Sequence, residues 1–91
     1  MSARITHIRK PDRDNRFEAI SHYGQLQKDG KVHIFEREWF IDWLKTNNTY
    51  AYVNEDGNEA VCDIKDNGRI RYLQTRPDAS EENNLLSLPG C

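Results

Sequence analysis

Disulfide chemistry, membrane-spanning segments and export signals are the first things this sequence lacks. Cys62 and Cys91 are its two cysteines, too few for the disulfide framework that staples small secreted domains. No apolar run approaches the ~20 residues that span a bilayer, and no apolar segment of a secretory signal follows the charged N-terminus. These absences predict a cytoplasmic location, with both thiols reduced and no membrane partner.

An excess of either charge is also missing. The chain carries 13 Lys and Arg residues and 15 Asp and Glu residues, which gives a net charge of -2. Obligate nucleic-acid-binding modules are usually clearly basic, because neutralising phosphates drives their binding. The charge balance therefore argues against that class of function, although it leaves room for a local basic patch.

Aromatic residues are what the chain has in quantity, at 10% of its 91 residues. Their rings supply apolar area for one modest core, which offsets a charged fraction of 31% that alone would favour disorder. The length fits one domain, and we assign residues 1–91 to it. A domain of this size buries little more than ~60% of the surface of its unfolded chain, so little is left for a deep catalytic cleft.

The N-terminal quarter of the chain predicts a β-hairpin. Apolar residues punctuate Ala3–Lys10 and Phe17–Tyr23, and the turn-forming residues Pro11–Asn15 lie between them. Ile5 and Ile8 have opposite parity along the first strand. Either both faces of that strand are partly covered, or a bulge shifts its register.

The middle of the chain predicts one amphipathic helix over Glu36–Asn47, preceded by Val32–Phe35, which is compatible with a strand or a helix lead-in. Lys45 in the last turn suits the helix dipole, and Asn tolerates the left-handed conformation that ends a helix. We expect the apolar stripe to be core, with one tryptophan partly exposed as an interface anchor. The stripe consists of Trp39, Phe40, Trp43 and Leu44.

Three strands joined by tight turns are expected next, over Thr49–Val53, Glu59–Lys65 and Arg69–Thr75. The turns between them are rich in Asn, Asp and Gly, as hairpin turns are. Leucines 85, 86 and 88 should then dock on the core, because a free tail is more often polar. The predicted class is α+β, in the order β-β-α-β-β-β, with an antiparallel sheet, one amphipathic helix and a docked C-terminal tail.

Three stretches of the chain carry recognisable short motifs: Ile5-Thr6-His7-Ile8-Arg9-Lys10, Tyr72-Leu73-x-Thr75 followed by Asp78, and Asn83-Asn84-Leu85-Leu86-x-Leu88-Pro89-x-Cys91. Together they resemble a small bacterial family that is catalogued as a domain of unknown function. The resemblance covers nearly the whole chain and implies a bacterial, standalone domain, with no activity or cofactor to carry over. The predicted strands at Tyr52-Val53 and Ala60-Val61 also look similar to strands of that family.

Two arginine-bearing hairpins and a polar C-terminal segment form the candidate binding surface. Arg69 and Arg71 share parity, so both project from one face of the predicted strand, and nearby tyrosines offer stacking surfaces for bases. Interleaved aspartates, however, are typical of an ordinary solvated surface. Turn-forming hydrogen bonds are enough to explain the polar segment, and the alternative is that it forms the rim of a binding groove. The candidate residues are Arg9, Arg16, Arg69, Arg71, Thr75, Asp78 and Asn84.

No metal, cofactor or catalytic site is predicted. The inventory of His7, His22, Cys62 and Cys91 suits zinc in its residue types, but no pair has the local spacing that zinc sites use. No nucleophile elbow, phosphate-binding loop or metalloprotease motif is present. The sequence thus favours a non-enzyme.

We therefore expect a non-catalytic interaction module that binds an unknown protein partner or itself, through a strand edge or exposed aromatics. One alternative is a weak nucleic-acid-binding domain that uses the arginine-rich hairpins. A second alternative is a small enzyme or metal-binding protein. Salt separates the first two, because phosphate binding weakens steeply with salt and apolar association does not.

Overall fold

Two β-sheets and one helix enclose a common core in the computed structural model, which describes residues 2–11, 13–14, 16–55, 57–76 and 85–90. Within these ranges lie seven strands, one α-helix and two short 3₁₀ turns. The predicted α+β class with antiparallel sheet is confirmed. The segment 77–84, with the predicted site residues Asp78 and Asn84, lies outside the described residues, as does Cys91.

The larger sheet contains four strands in the order β1-β5-β6-β7. Its last three strands form the antiparallel meander that the turn chemistry predicts. Strand β1 was not expected here: it runs parallel to β5, with Ala3 opposite Ala51. The strands span Ser2–Arg4 (β1), Tyr50–Glu55 (β5), Asn58–Asp66 (β6) and Arg71–Thr75 (β7).

The last strand begins two residues later than predicted. The Asn67 side-chain oxygen accepts the backbone N–H groups of Arg69 and Ile70, at 2.9 and 3.0 Å, and so builds these residues into the turn. Arg69 therefore lies in a loop before β7, and the prediction that Arg69 and Arg71 project from one face of one strand was wrong.

The smaller sheet is antiparallel, in the order β2-β3-β4, with β2 at His7–Arg9, β3 at His22–Leu26 and β4 at Val32–Glu36. The predicted partner strand Phe17–Tyr23 was mostly wrong, since Phe17–Ala19 is a 3₁₀ turn. The strand that pairs with β2 is instead β3, which starts later and extends into a segment whose sequence looks polar.

A bulge at Thr6 joins the two sheets. The Ile5 N–H donates to the Tyr52 carbonyl of β5, whereas the next N–H, of Thr6, donates to the Gly24 carbonyl of β3, each at 2.9 Å. His7 is also the ladder partner of Gly24, so two residues oppose one. This explains why isoleucines 5 and 8 are both buried despite their opposite parity.

Helix α1, Arg37–Thr46, follows β4 directly and confirms the predicted helix. It ends as expected, with Asn48 in the left-handed region at φ 50°. Its buried face differs from the predicted stripe, since it consists of Phe40, Ile41 and Leu44, whereas Trp39 is 52% exposed and Trp43 half-buried. No helix among the described residues has the length and apolar content to cross a membrane.

The C-terminal segment docks, as predicted. Leu85 is fully buried, and its N–H donates to the Thr75 side-chain oxygen at 2.9 Å. Farther along, the Ile8 N–H donates to the Pro89 carbonyl at 3.0 Å, and Gly90 forms a parallel bridge with Ile8. The tail thereby ties β7 of one sheet to β2 of the other.

Candidate interaction surfaces

Two of the four sheet edges are covered by other parts of the chain. The free side of β2 is paired by the tail through the Ile8 to Pro89 hydrogen bond. The free side of β7 meets helix α1, and the buried Tyr23 hydroxyl accepts the Leu73 N–H at 3.1 Å. Such cover removes the unpaired backbone groups that make an edge available to another chain.

Strand β1 forms the first open edge. In its parallel ladder, Ala3 and Ile5 direct their backbone groups towards β5, because the Ile5 N–H bonds the Tyr52 carbonyl. The backbone groups of Ser2 and Arg4 therefore point the opposite way. They face a groove of about 520 Å³ that is lined by Ser2–Arg4, Thr6, Gln25–Gln27 and Trp43.

The far wall of this groove is the end of β3. The Gln27 N–H bonds the Lys31 carbonyl, so odd-numbered residues of β3 face β4 and the backbone of Leu26 faces the groove. The Leu26 N–H is taken by the Thr6 side-chain oxygen at 2.8 Å. The Leu26 side chain is 55% exposed, and Trp43 is half-buried nearby. The groove thus combines unpaired strand backbone with apolar side chains.

Strand β4 forms the second open edge. It pairs with β3 over five regular positions and contains no proline, lysine or bulge, the features that usually protect an edge. Residues 31, 33, 35 and 37 face β3, so the backbone groups of Val32 and Ile34 point outwards. Ile34 is 42% exposed, on the same solvent-facing side of the sheet as Leu26.

A group of tyrosines lies on the solvent side of the larger sheet. Ala51 and Leu73 are buried, so Tyr50, Tyr52 and Tyr72, which alternate with them, point away from the core. The rings of Tyr50 and Tyr52 are 6.5 Å apart, and Tyr50 is 46% exposed. By the same alternation, this face carries both charge signs, from Arg4, Lys65, Arg76, Glu59 and Asp63.

The predicted arginine surface is divided among separate places. Arg16 lies in the loop after β2, where its guanidinium bonds the Asp14 carboxylate at 2.7 Å and lowers the pKa of Asp14 to about 2. Arg71 on β7 forms ion pairs with Glu38 and Asp42 of helix α1, the latter at 2.8 Å. These carboxylates neutralise the charge that a phosphate would need.

The remaining two arginines do not share a surface element. Arg9 is exposed on β2 of the smaller sheet, opposite His22, whereas Arg69 is exposed in the turn before β7 of the larger sheet. Each thus presents its charge from a different sheet. The structure brings no pair among the four arginines of the predicted surface onto one strand.

Thr75 has a structural role in the part of the chain that is described. It is 4% exposed and accepts the Leu85 N–H, which fixes the start of the docked tail. It also hydrogen-bonds the Cys62 thiol, while burial raises the pKa of that thiol to about 12. Cys62 is therefore a protonated core residue at neutral pH, and a poor nucleophile or metal ligand.

The residues considered for zinc do not converge among those described. His7 bonds the Thr6 hydroxyl and His22 bonds the Ser21 hydroxyl, each through Nδ1. Cys62 lies in the core. No set of three His, Cys, Asp or Glu residues in the described ranges has the arrangement of a metal site.

Comparison with known proteins identifies a family but no activity. The model of a family described as protein of unknown function (DUF3892) matches residues 4–89, which include the last residue of β1, strands β2 to β7, the helix and the docked tail as far as Pro89. No curated protein and no solved structure matches the chain. The family match agrees with the resemblance seen in the terminal motifs. The chain belongs to the DUF3892 family of proteins of unknown function.

Proposed function

We propose that this domain is a non-catalytic interaction module of a bacterial cytoplasmic protein, and that it binds an extended segment of a partner protein beside β1. The observation that carries the proposal is the groove in which the backbone of Ser2 and Arg4, which no described residue pairs on that side, lies opposite Leu26 and Trp43. An extended peptide supplies the complementary N–H and C=O groups by adding a strand to the sheet.

The side chains of the groove favour a particular peptide chemistry. Leu26 and Trp43 offer contact for an apolar side chain, which strand addition places on alternate residues. Arg4 is exposed and uses one guanidinium nitrogen on the Asn54 carbonyl at 3.5 Å, so further donors remain for a carboxylate. The expected ligand is a short extended segment with an apolar residue and an acidic residue.

A binding role fits the groove better than a catalytic one. Its lining residues are Ser2–Arg4, Thr6, Gln25–Gln27 and Trp43, which include no carboxylate, imidazole or thiol to act as a general base. The hydroxyl of Thr6 is already engaged by the Leu26 N–H. The groove therefore offers hydrogen bonds and apolar contact, which are the ingredients of recognition.

Selection from a phage-displayed library of short peptides, followed by binding measurements on the enriched sequences, tests the proposal. Arg4→Pro removes an outward-facing N–H that makes no bond to β5, and Arg4→Ala is its control, which removes the charge alone. We expect the enriched peptides to lose roughly tenfold or more in affinity for Arg4→Pro beyond any loss for Arg4→Ala. Failure to enrich any peptide, or equal affinity for both variants, would contradict the proposal.

Weak binding of single-stranded nucleic acid is a second candidate, favoured by the shared solvent face of Tyr50, Tyr52 and Tyr72. Aromatic rings on an open sheet stack with bases, and Arg4 and Lys65 lie on the same face. Mixed charge on that face and the net charge of -2 weigh against it. Fluorescence anisotropy with a labelled single-stranded oligonucleotide, repeated at rising salt, distinguishes the two. Salt-sensitive binding that Tyr50→Leu weakens would support this candidate.

A further inference from the structure

Strand β4 has the properties of an edge that pairs with a copy of itself. Its five positions are regular, and no described residue bonds the outward backbone groups of Val32 and Ile34. It lies on the opposite side of β3 from the peptide groove, and Ile34 does not line that groove. An unprotected regular edge with exposed aliphatic side chains is a template for another strand.

We propose that two copies of the chain associate through their β4 strands, antiparallel and about a two-fold axis, to form one continuous six-stranded sheet. A two-fold interface requires a surface that is complementary to itself. Antiparallel pairing meets this requirement for the backbone, because the outward N–H and C=O groups of Val32 and Ile34 match those of an identical strand.

The side chains select one register. Hydrogen-bonded pairs form between outward-facing residues, so Val32 of one copy lies opposite the partner's Ile34, and the reverse. This register brings both aliphatic residues of each copy together on the solvent-facing side, beside Leu26. It is preferred to the register centred on Ile34, which sets Val32 against the carboxylate of Glu36.

The axis in this register passes by His33, which faces β3 through its backbone and therefore forms a non-hydrogen-bonded pair with its own copy. Cα atoms in such pairs are ~4.5 Å apart, within the range that a disulfide bridges. His33→Cys, made in a Cys91→Ser background, should thus form a covalent dimer under mild oxidation. Gln25→Cys, on the neighbouring strand β3, is the matched control and should not.

Association is measured by sedimentation equilibrium of the full chain at protein concentrations up to about 1 mM, which is high enough to detect a weak dimer with a dissociation constant in that range. Ile34→Pro removes an outward N–H without touching the β3 ladder, and Ile34→Lys places a charge at the interface. We expect wild type to dimerise and both variants to sediment as monomers, with unchanged circular dichroism. A monomeric wild type, or a dimer that both variants preserve, overturns the proposal.

The test of pairing through β4 can be distinguished from the test of peptide binding in the groove. The substitutions at Ile34 leave Ser2–Arg4, Leu26 and Trp43 in place, so peptide binding should persist in the monomeric variants. Conversely, Arg4→Pro should still dimerise. A dimer that is lost in Arg4→Pro but kept in Ile34→Lys would place the contact at β1 and refute pairing through β4.

Discussion

The covered and open edges of the two sheets differ in what lies beside them. Strands β2 and β7 are completed from within the chain, the first by the Pro89 carbonyl and the second by the Tyr23 hydroxyl. Strands β1 and β4 present the same backbone groups to solvent, beside Leu26 in one case and Ile34 in the other. Residues at the covered edges therefore stabilise the fold, whereas residues at the open edges keep backbone groups that another strand could pair with.

The covered edges should carry stability, and the largest effect is expected at the tail. Leu85→Ala removes a fully buried side chain and should lower the free energy of unfolding by ~2–5 kcal/mol. Chemical denaturation followed by circular dichroism measures it. Leu26→Ala is the matched control on an open edge and should change stability by no more than ~0.5 kcal/mol. Equal losses of stability in the two variants would contradict the idea that the covered edges contribute more to stability than the open ones.

A smaller loss is expected where the Tyr23 hydroxyl covers β7. Tyr23→Phe leaves the buried N–H of Leu73 without an acceptor, which should cost ~1–3 kcal/mol at neutral pH. Thermal or chemical unfolding gives the value. Tyr72→Phe is the control. Tyr72 is half-exposed on the solvent side of the same strand, so its substitution should leave the free energy of unfolding nearly unchanged. If both variants melt alike, the hydroxyl does not cover the edge.

The same hydroxyl predicts a dependence on alkaline pH. Burial raises the pKa of Tyr23 above its ordinary value, so the folded chain keeps a proton that the unfolded chain releases. Stability contributed in this way is complete below the ordinary tyrosine pKa of ~10 and is lost as pH rises above it. Urea midpoints at increasing pH should therefore fall more steeply for wild type than for Tyr23→Phe. The loss of stability caused by the Cys62 thiol, which begins near the ordinary cysteine pKa of ~8.5, should remain in both proteins.

The smallest effect on the fold is expected at the open edge of β4. Ile34 is 42% exposed, so Ile34→Thr, which keeps a β-branched side chain, should change the unfolding free energy by no more than ~0.5 kcal/mol. The measurement belongs at low protein concentration, where association adds nothing. A loss comparable to that of Leu85→Ala would mean that β4 is part of the core and not an edge for partners.

Local turn chemistry and periodicity were sufficient for the C-terminal half of the fold. The helix, the β5-β6-β7 meander and the presence of a docked leucine-rich tail were predicted from residues close in sequence, whereas the start of β7, the buried face of the helix and the contact of the tail with Ile8 were not. The N-terminal half was not predictable in this way. The parallel pairing of Ala3 with Ala51 joins residues far apart in the chain, and the bulge at Thr6 breaks the alternation that would have revealed the buried face.

The candidate surfaces were predictable only in part. Charge and residue type pointed to Arg16 and Arg71. Arg16 is neutralised by Asp14, one of the interleaved aspartates visible in the sequence. Arg71 is neutralised by carboxylates of helix α1, and sequence spacing alone does not reveal such a pair. The open edges depend on strand order, which determines that Ile34 and Leu26 lack cover. Their one sequence signal was isolated aliphatic residues within otherwise polar strands, a pattern that ordinary surfaces share.

The docked tail also constrains how the chain acquires its structure during synthesis. The Ile8 N–H near the N-terminus bonds the Pro89 carbonyl, and Thr75 bonds Leu85. A ribosome adds ~5–20 residues per second, so strand β2 waits for several seconds before its cover exists. During that interval the outward backbone groups of β2 lack the cover that the described tail gives them in the finished protein, and an uncovered edge is the kind that pairs with other strands.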